Sequence, residues 1–345
     1  MQCCAFMHVA AKNIGGCTLH HFAHKYIFHG SFSGWVVIDE VGQLTLPLVA
    51  ALNRLLLSER AGQPVRFILL GDFKGQLLAI QNSWRGHKVD NNFFRDSTLL
   101  KQLAGNNRIT LTECRRSDEK LFGFYASLIE GGEREHSTNE QAVADAMRAF
   151  PPKMGEAEWN LSLSHAKRKR ICKVINDKEA KGKPHVLVEA ALSDPNSQDM
   201  LIFEGLVLVG CNQKKKGVVN GCFYKVLAVN EDETTLLNLD ASEPHSNEPT
   251  ESETDETDEN DETDEAMSEP VSDITEATEV TVTVPTKDLS ACLRLAQCLT
   301  YSACQSRTLP GRLRLHEVSH IHFTKRHLNV GLSRGTSCDL IDLRK

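Results

Sequence analysis

"GWVVIDEVGQL", residues 34–44, is the stretch on which the fold class turns. Trp35, Val36, Val37 and Ile38 form an unbroken apolar run, the pattern of a strand buried on both faces. Asp39 and Glu40 follow directly, at the strand's C-terminal end, where an open parallel sheet places its ligand site. The next segment, QLTLPLVAALNRLLLSERAG, predicts a helix with Thr45 as N-cap, Pro47 in the first turn and Gly62 as its stop. Leu48, Leu52, Leu55 and Leu56 share one face of it. VRFILLGD, residues 65–72, predicts a second buried strand ending in a Gly-Asp turn. Strand, helix and strand with apolar strands read as an α/β fold with a parallel sheet.

The 345 residues leave room for two or three domains, and 41% hydrophobic content suffices for a sizeable core. There is no run of 18 apolar residues, so no membrane span and no membrane partner is expected. The start, MQCCAFMHVAA, lacks the basic n-region of a signal peptide. Eleven cysteines at irregular spacing, an odd count, point to free thiols in a reducing compartment. An intracellular location is therefore expected, the nucleus if the source is eukaryotic. Cys292, Cys298 and Cys304, six residues apart, are expected as core thiols. The formal net charge of −7 conceals an uneven distribution. Sixteen of the 46 acidic residues fall in 241–279, which holds no Lys or Arg, leaving 30 acids against 39 basic residues elsewhere. A mildly basic folded part suits a polyanion.

Further along, RITLTECRRSDEKLFGFYASLIEGG (108–132) predicts a short strand, a break and a helix capped near Ser117. Residues 131–157, polar and containing Pro151-Pro152, are expected as a linker. NLSLSHAKRKRICKVIN predicts a strand and a basic helix whose Lys167, Arg168, Lys169 and Arg170 either contact phosphates or form a solvated face. Residues 200–235 read as short strands with an Asn220-Gly221 hairpin turn. The acidic insert, 241–285, is too poor in apolar residues to order itself and is expected as a disordered loop, a candidate contact for basic proteins.

The order of these pieces resembles the superfamily 1B DNA helicases of the Pif-type and RecD-like group. AAKNIGGCTLHHF is similar to that family's motif Ia, with Thr18 and His20 at the positions that touch single-stranded DNA. VVIDEVGQL resembles motif II, in which Asp39 would hold Mg²⁺ and Glu40 would orient or deprotonate the attacking water. FILLGDFKGQLLAI resembles motif III and assigns Gln76 to the γ-phosphate, with one residue more than the commoner spacing. In LTECRRSDEKLFGFYASLIEGG, Arg115 takes the place of the family's phosphate-reaching arginine, and Arg116 stands where glutamine is usual. LRLAQCLTYSACQSRTL resembles motif V, with Gln305 and Thr308 as nucleic-acid contacts and Ser306 in place of the usual glycine. HLNVGLSRGTS resembles motif VI, with Arg334 as the arginine finger.

The resemblance implies two RecA-like P-loop NTPase domains, 1–130 and 158–345, the second carrying a β module near 200–235 and the acidic insert. It implies ATP and Mg²⁺ in the cleft between them, with Asp39, Glu40, Gln76 and Arg115 on one side and Arg334 on the other. It implies single-stranded DNA across the top and 5′-to-3′ unwinding in replication, recombination or repair. No G-x-x-x-x-G-K-[ST] loop occurs in the sequence, although the family places one just before motif Ia. The expectation is an incomplete first domain in an N-terminally truncated chain. Two alternatives accompany it: a catalytically inactive ssDNA-binding remnant, and a viral-type superfamily 1 RNA helicase.

Overall fold

The structure is a computed structural model that describes residues 1–28, 32–57, 65–77, 83–89, 94–212, 217–240 and 280–345. Two four-stranded parallel sheets and one five-stranded antiparallel sheet organise the described residues, beside two two-stranded antiparallel ribbons.

The first sheet orders its strands Cys17–Thr18, Gln2–Ala5, Gly34–Asp39 and Val65–Leu69, all parallel. Ile38 pairs with both Cys4 and Leu69, so Gly34–Asp39 is an interior strand, as its apolar run predicts. Its burial alternates, however. Val36 and Ile38 are fully buried, whereas Trp35 is 42% exposed. The buried side packs with Leu19, Phe22, Leu44, Val49 and Leu52. On the other side the Arg66 guanidinium lies 5.5 Å from the centre of the Trp35 ring, which supports a half-exposed indole. The predicted helix runs Leu46–Leu56 with Thr45 at its N-cap and Pro47 in its first turn; Leu57 is its C-cap, and Gly62 lies outside the described residues.

The second sheet orders Cys298–Thr300, Trp159–Ser162, Leu313–Leu315 and Ile341–Leu343, again all parallel. Its core joins Leu161, Leu299, Leu313, Leu315 and Leu343 to Leu328, Val330 and Leu332 of the Lys325–Leu332 helix. Two expectations change here and one holds. Residues 108–113 form no strand; Ile109 and Leu111 are each 88% exposed, and among the described residues no strand pairs with them. The helix after the break starts at Glu119 and is capped near Ser117, as expected: Asp118, the next residue, accepts the Leu121 amide at 2.8 Å. Within 131–157, expected as a linker, lies the Asn139–Ala149 helix, with a capping box between Thr138 and Gln141. Its Ala142, Val143 and Ala146 pack into the second sheet's core, as do Leu121 and Leu128.

The β module is larger than the predicted 200–235. Five antiparallel strands lie in the order Thr281–Pro285, Glu233–Asn238, Phe223–Val229, Val207–Gly210 and Leu293–Leu295. The Asn220-Gly221 turn is present, with Gly221 at φ 85° and the Cys222 amide bonded to the Val219 carbonyl. Leu237 pairs with Thr281, so the acidic stretch is spliced between two directly bonded strands. The insert therefore ends before residue 281, not at 285; residues 241–279 lie outside the described residues, and the contact expected for the acidic loop lies there with them. Cys292, Cys298 and Cys304 are all fully buried and in no disulfide, as core residues should be.

Candidate functional site

The site forms where the C-terminal end of the first sheet meets the second lobe. Asp39 closes the Gly34–Asp39 strand and accepts the Glu40 amide on Oδ1 at 2.9 Å. Burial raises the Asp39 pKa above its ordinary value; the Glu40 amide bond opposes that shift and the Glu40 charge adds to it more weakly. Glu40 adopts the left-handed conformation, φ 55° and ψ 40°, which turns its side chain away from the strand direction.

Gln76 arrives from the turn after the second strand. Oδ1 of Asp72 accepts the amides of Lys74 at 2.7 Å and Gly75 at 3.0 Å, a side-chain-capped turn that absorbs the extra residue of this motif. Gln76 is thereby brought to Glu40, where its Nε2 donates to Oε2 of the carboxylate. Gln76 is 7% exposed, and its Oε1 has no partner among the described residues.

The second lobe closes on this face. Ser306 Oγ donates to Oε1 of Glu40 at 3.0 Å, and Asn13 Nδ2 donates to the Ser306 carbonyl at 3.1 Å. Gln305 accepts the Leu77 amide at 2.9 Å and donates to the Leu77 carbonyl at 3.2 Å. Gln305 thus joins the lobes and is buried, in contrast to the exposed Thr308 beside it. Arg334 is 6% exposed, and its three guanidinium nitrogens bond Val330 O, Arg307 O and Ser333 Oγ. Burial lowers its pKa, and the nearby Glu40 charge opposes that shift.

The arginine pair divides differently from the sequence reading. The Arg115 side chain is 84% exposed and pairs with Glu113 at 3.0 Å. Arg116 instead crosses to the second lobe, from Nε to Thr308 Oγ1 at 3.0 Å and from Nη1 to the Ser333 carbonyl at 3.1 Å. Arg116 and Asn13 are the site residues that sequence reasoning missed. Arg116 sat in the quoted motif, one position from the chosen arginine, while nothing local marked Asn13. Thr18 caps the Leu19–Phe22 helix, accepting the His21 amide at 3.3 Å, and the exposed His20 ring sits 5.4 Å from Phe6. In the basic helix His165–Glu179, Arg168 is 3% exposed and donates to the Asn196 carbonyl, so it is a packing residue rather than a phosphate contact.

Among the described residues, no group of three His, Cys, Asp or Glu side chains is arranged to hold a metal ion by itself. No described helix is long and apolar enough to cross a membrane.

No protein-family model and no curated protein matches the sequence. Solved structures do. The Pif1 helicase from Candida albicans matches with a TM-score of 0.60 at 17% identity, over 100% of this chain and 84% of that one. A structure described as DNA unwinding at forked dsDNA by two coordinating Pif1 helicases gives 0.59 at 14%, over 99% and 81%. The Bacteroides Pif1 helicase in complex with ADP-AlF3 and ssDNA gives 0.57 at 16%, over 99% and 82%. The chain therefore has the two-lobed, RecA-like α/β fold of the Pif1 helicases.

Proposed function

We propose that this chain is a nucleotide-driven DNA motor of the helicase kind, with ATP between the lobes and single-stranded DNA across them. The observation that carries this reading is the convergence on one carboxylate: Glu40, at the end of a parallel strand, is met by Gln76 from its own lobe and by Ser306 from the other. A base whose surroundings span a cleft is what a motor needs to couple hydrolysis to lobe closure.

Asp39 and Glu40 present hard oxygen donors, which suit Mg²⁺. With no third protein ligand among the described residues, such an ion would complete its shell with water and substrate phosphates, as Mg²⁺ ordinarily does. The ion would neutralise charge on the phosphates. Asp39 would hold it, Glu40 would take the proton of the attacking water, and the unpartnered Gln76 Oε1 would accept from that water. Arg116 and Arg334 would stabilise charge on the leaving phosphates. Thr308 and His20 are exposed for nucleic acid, and Thr18 orients the segment that carries His20. Unwinding from 5′ to 3′ in replication, recombination or repair completes the proposal.

A second reading, ssDNA binding without hydrolysis, is favoured by one observation. The 345 residues include no G-x-x-x-x-G-K-[ST] loop to cradle phosphates. ssDNA-stimulated ATP hydrolysis by the purified chain, beside an Asp39→Ala, Glu40→Ala control, separates the two. Turnover abolished in the control supports the motor. DNA binding with no turnover above the control supports the second reading.

A further inference from the structure

We propose that Ser306 is a positioning residue that sets the Glu40 carboxylate from the opposite lobe, so that this side chain is aligned only when the lobes are closed. The role rests on the reading of Glu40 as the base.

Four residues around Glu40 form a closed circuit. Gln76 binds one carboxylate oxygen and Ser306 the other, at 3.0 Å. Leu77, next in chain to Gln76, is held through both backbone groups by Gln305, next in chain to Ser306. Opening the cleft breaks the Gln305 and Ser306 contacts together and frees one oxygen of Glu40. Asn13 fixes the Ser306 carbonyl at 3.1 Å, so the serine is held on its backbone as well as its side chain.

Ser306 sits at φ 62°, in the left-handed region. Glycine adopts that conformation freely, and residues with a Cβ resist it. A serine here is locally unfavourable, and what it adds over glycine is the hydroxyl aimed at Glu40. Positioning and stability should therefore respond to substitution in opposite directions.

The test uses the full chain and its Ser306→Gly, Ser306→Ala and Ser306→Asn variants. Amide hydrogen exchange is followed without nucleotide in the segment 38–42, on the lobe opposite the substitution. Ser306→Gly is expected to melt at the wild-type temperature or higher, yet to exchange several-fold faster at 38–42. Ser306→Ala should exchange equally fast while keeping the strained backbone. Ser306→Asn, a donor that tolerates the left-handed region, should restore protection. In a Glu40→Ala background, Ser306→Gly should add nothing. For hydrolysis the expected loss is in kcat, with the KM for ATP unchanged. Exchange at 38–42 that is the same in Ser306→Gly as in wild type overturns the proposal. The expected exchange pattern in a protein that does not hydrolyse ATP upholds the cross-lobe contact and removes the hydrolysis reading instead.

Discussion

Gln305 grips the backbone of Leu77 with both ends of its amide, accepting from N at 2.9 Å and donating to O at 3.2 Å, although the two residues lie 228 positions apart. This is a cross-lobe substitute for a strand's backbone pairing. Truncation leaves two backbone groups of Leu77 without partners, and an unmade buried hydrogen bond costs ~1–3 kcal/mol. Gln305→Ala should therefore lose about that much stability in urea titration, while Gln305→Glu, which keeps the acceptor and loses the donor, should fall between. Equal midpoints for wild type and Gln305→Ala would show that the lobes are not held there.

The two adjacent arginines should separate in function. Arg115 pairs, among the described residues, with an exposed glutamate, and such pairs contribute ~0–1 kcal/mol. Arg116 reaches the segment that carries Arg334. If the chain hydrolyses ATP, Arg116→Ala should reduce kcat by ~100-fold or more, in line with removal of a charge-stabilising group. Arg115→Ala should stay within about twofold, since a few tenths of a kcal/mol is less than a twofold effect. The reverse ranking in steady-state assays would return the role to Arg115.

Much of this arrangement was legible in the sequence, because its signals were local. The Gly34–Asp39 strand, the Leu46–Leu56 helix and the Asn220-Gly221 turn each follow from apolar pattern, cap and turn chemistry. The misses have physical reasons. The alternation in RITLTE reads as a strand, but a strand needs a neighbour to pair with, and no local pattern supplies one. The Asn139–Ala149 helix carries a weak apolar signal because alanines fill much of its buried face; its one local mark is the Thr138 to Gln141 capping box. Whether Arg115 or Arg116 points at the second lobe depends on partners more than 190 residues away. The same holds for the strands flanking the acidic stretch, whose direct pairing only tertiary structure reveals.

His316 should make the second lobe acid-sensitive. Its ring bonds Asn160 Oδ1 at 3.0 Å, and burial pushes its pKa down to about 4 from an ordinary 6.5. The folded state thus binds fewer protons than the unfolded state across that window. Stability is full above pH 6.5, falls as the pH drops towards 4, and levels off below. At ~1.4 kcal/mol per pKa unit, the loss should amount to ~3 kcal/mol at most. Denaturant midpoints measured between pH 7 and 4 should show this slope in wild type and a shallower one in His316→Gln.

Asp39 should show the opposite linkage and expose a trade between stability and function. Burial raises its pKa despite the Glu40 amide that bonds Oδ1, so the charged carboxylate is disfavoured in the ligand-free fold. That penalty is present at neutral pH and fades as the group protonates. Asp39→Asn keeps the side chain's shape, can still accept the Glu40 amide through its carbonyl, and removes the charge. Its melting temperature without ligand should therefore rise. The same change deletes the proposed Mg²⁺ ligand, and loss of a metal's charge stabilisation, worth several kcal/mol, should lower any hydrolysis by ~100-fold or more. Thermal melts with and without Mg-nucleotide read both effects: the variant should start higher and gain less on adding ligand. A variant that melts lower than wild type and gains as much from Mg-nucleotide would place the metal elsewhere and leave Asp39 as an ordinary strand-end carboxylate.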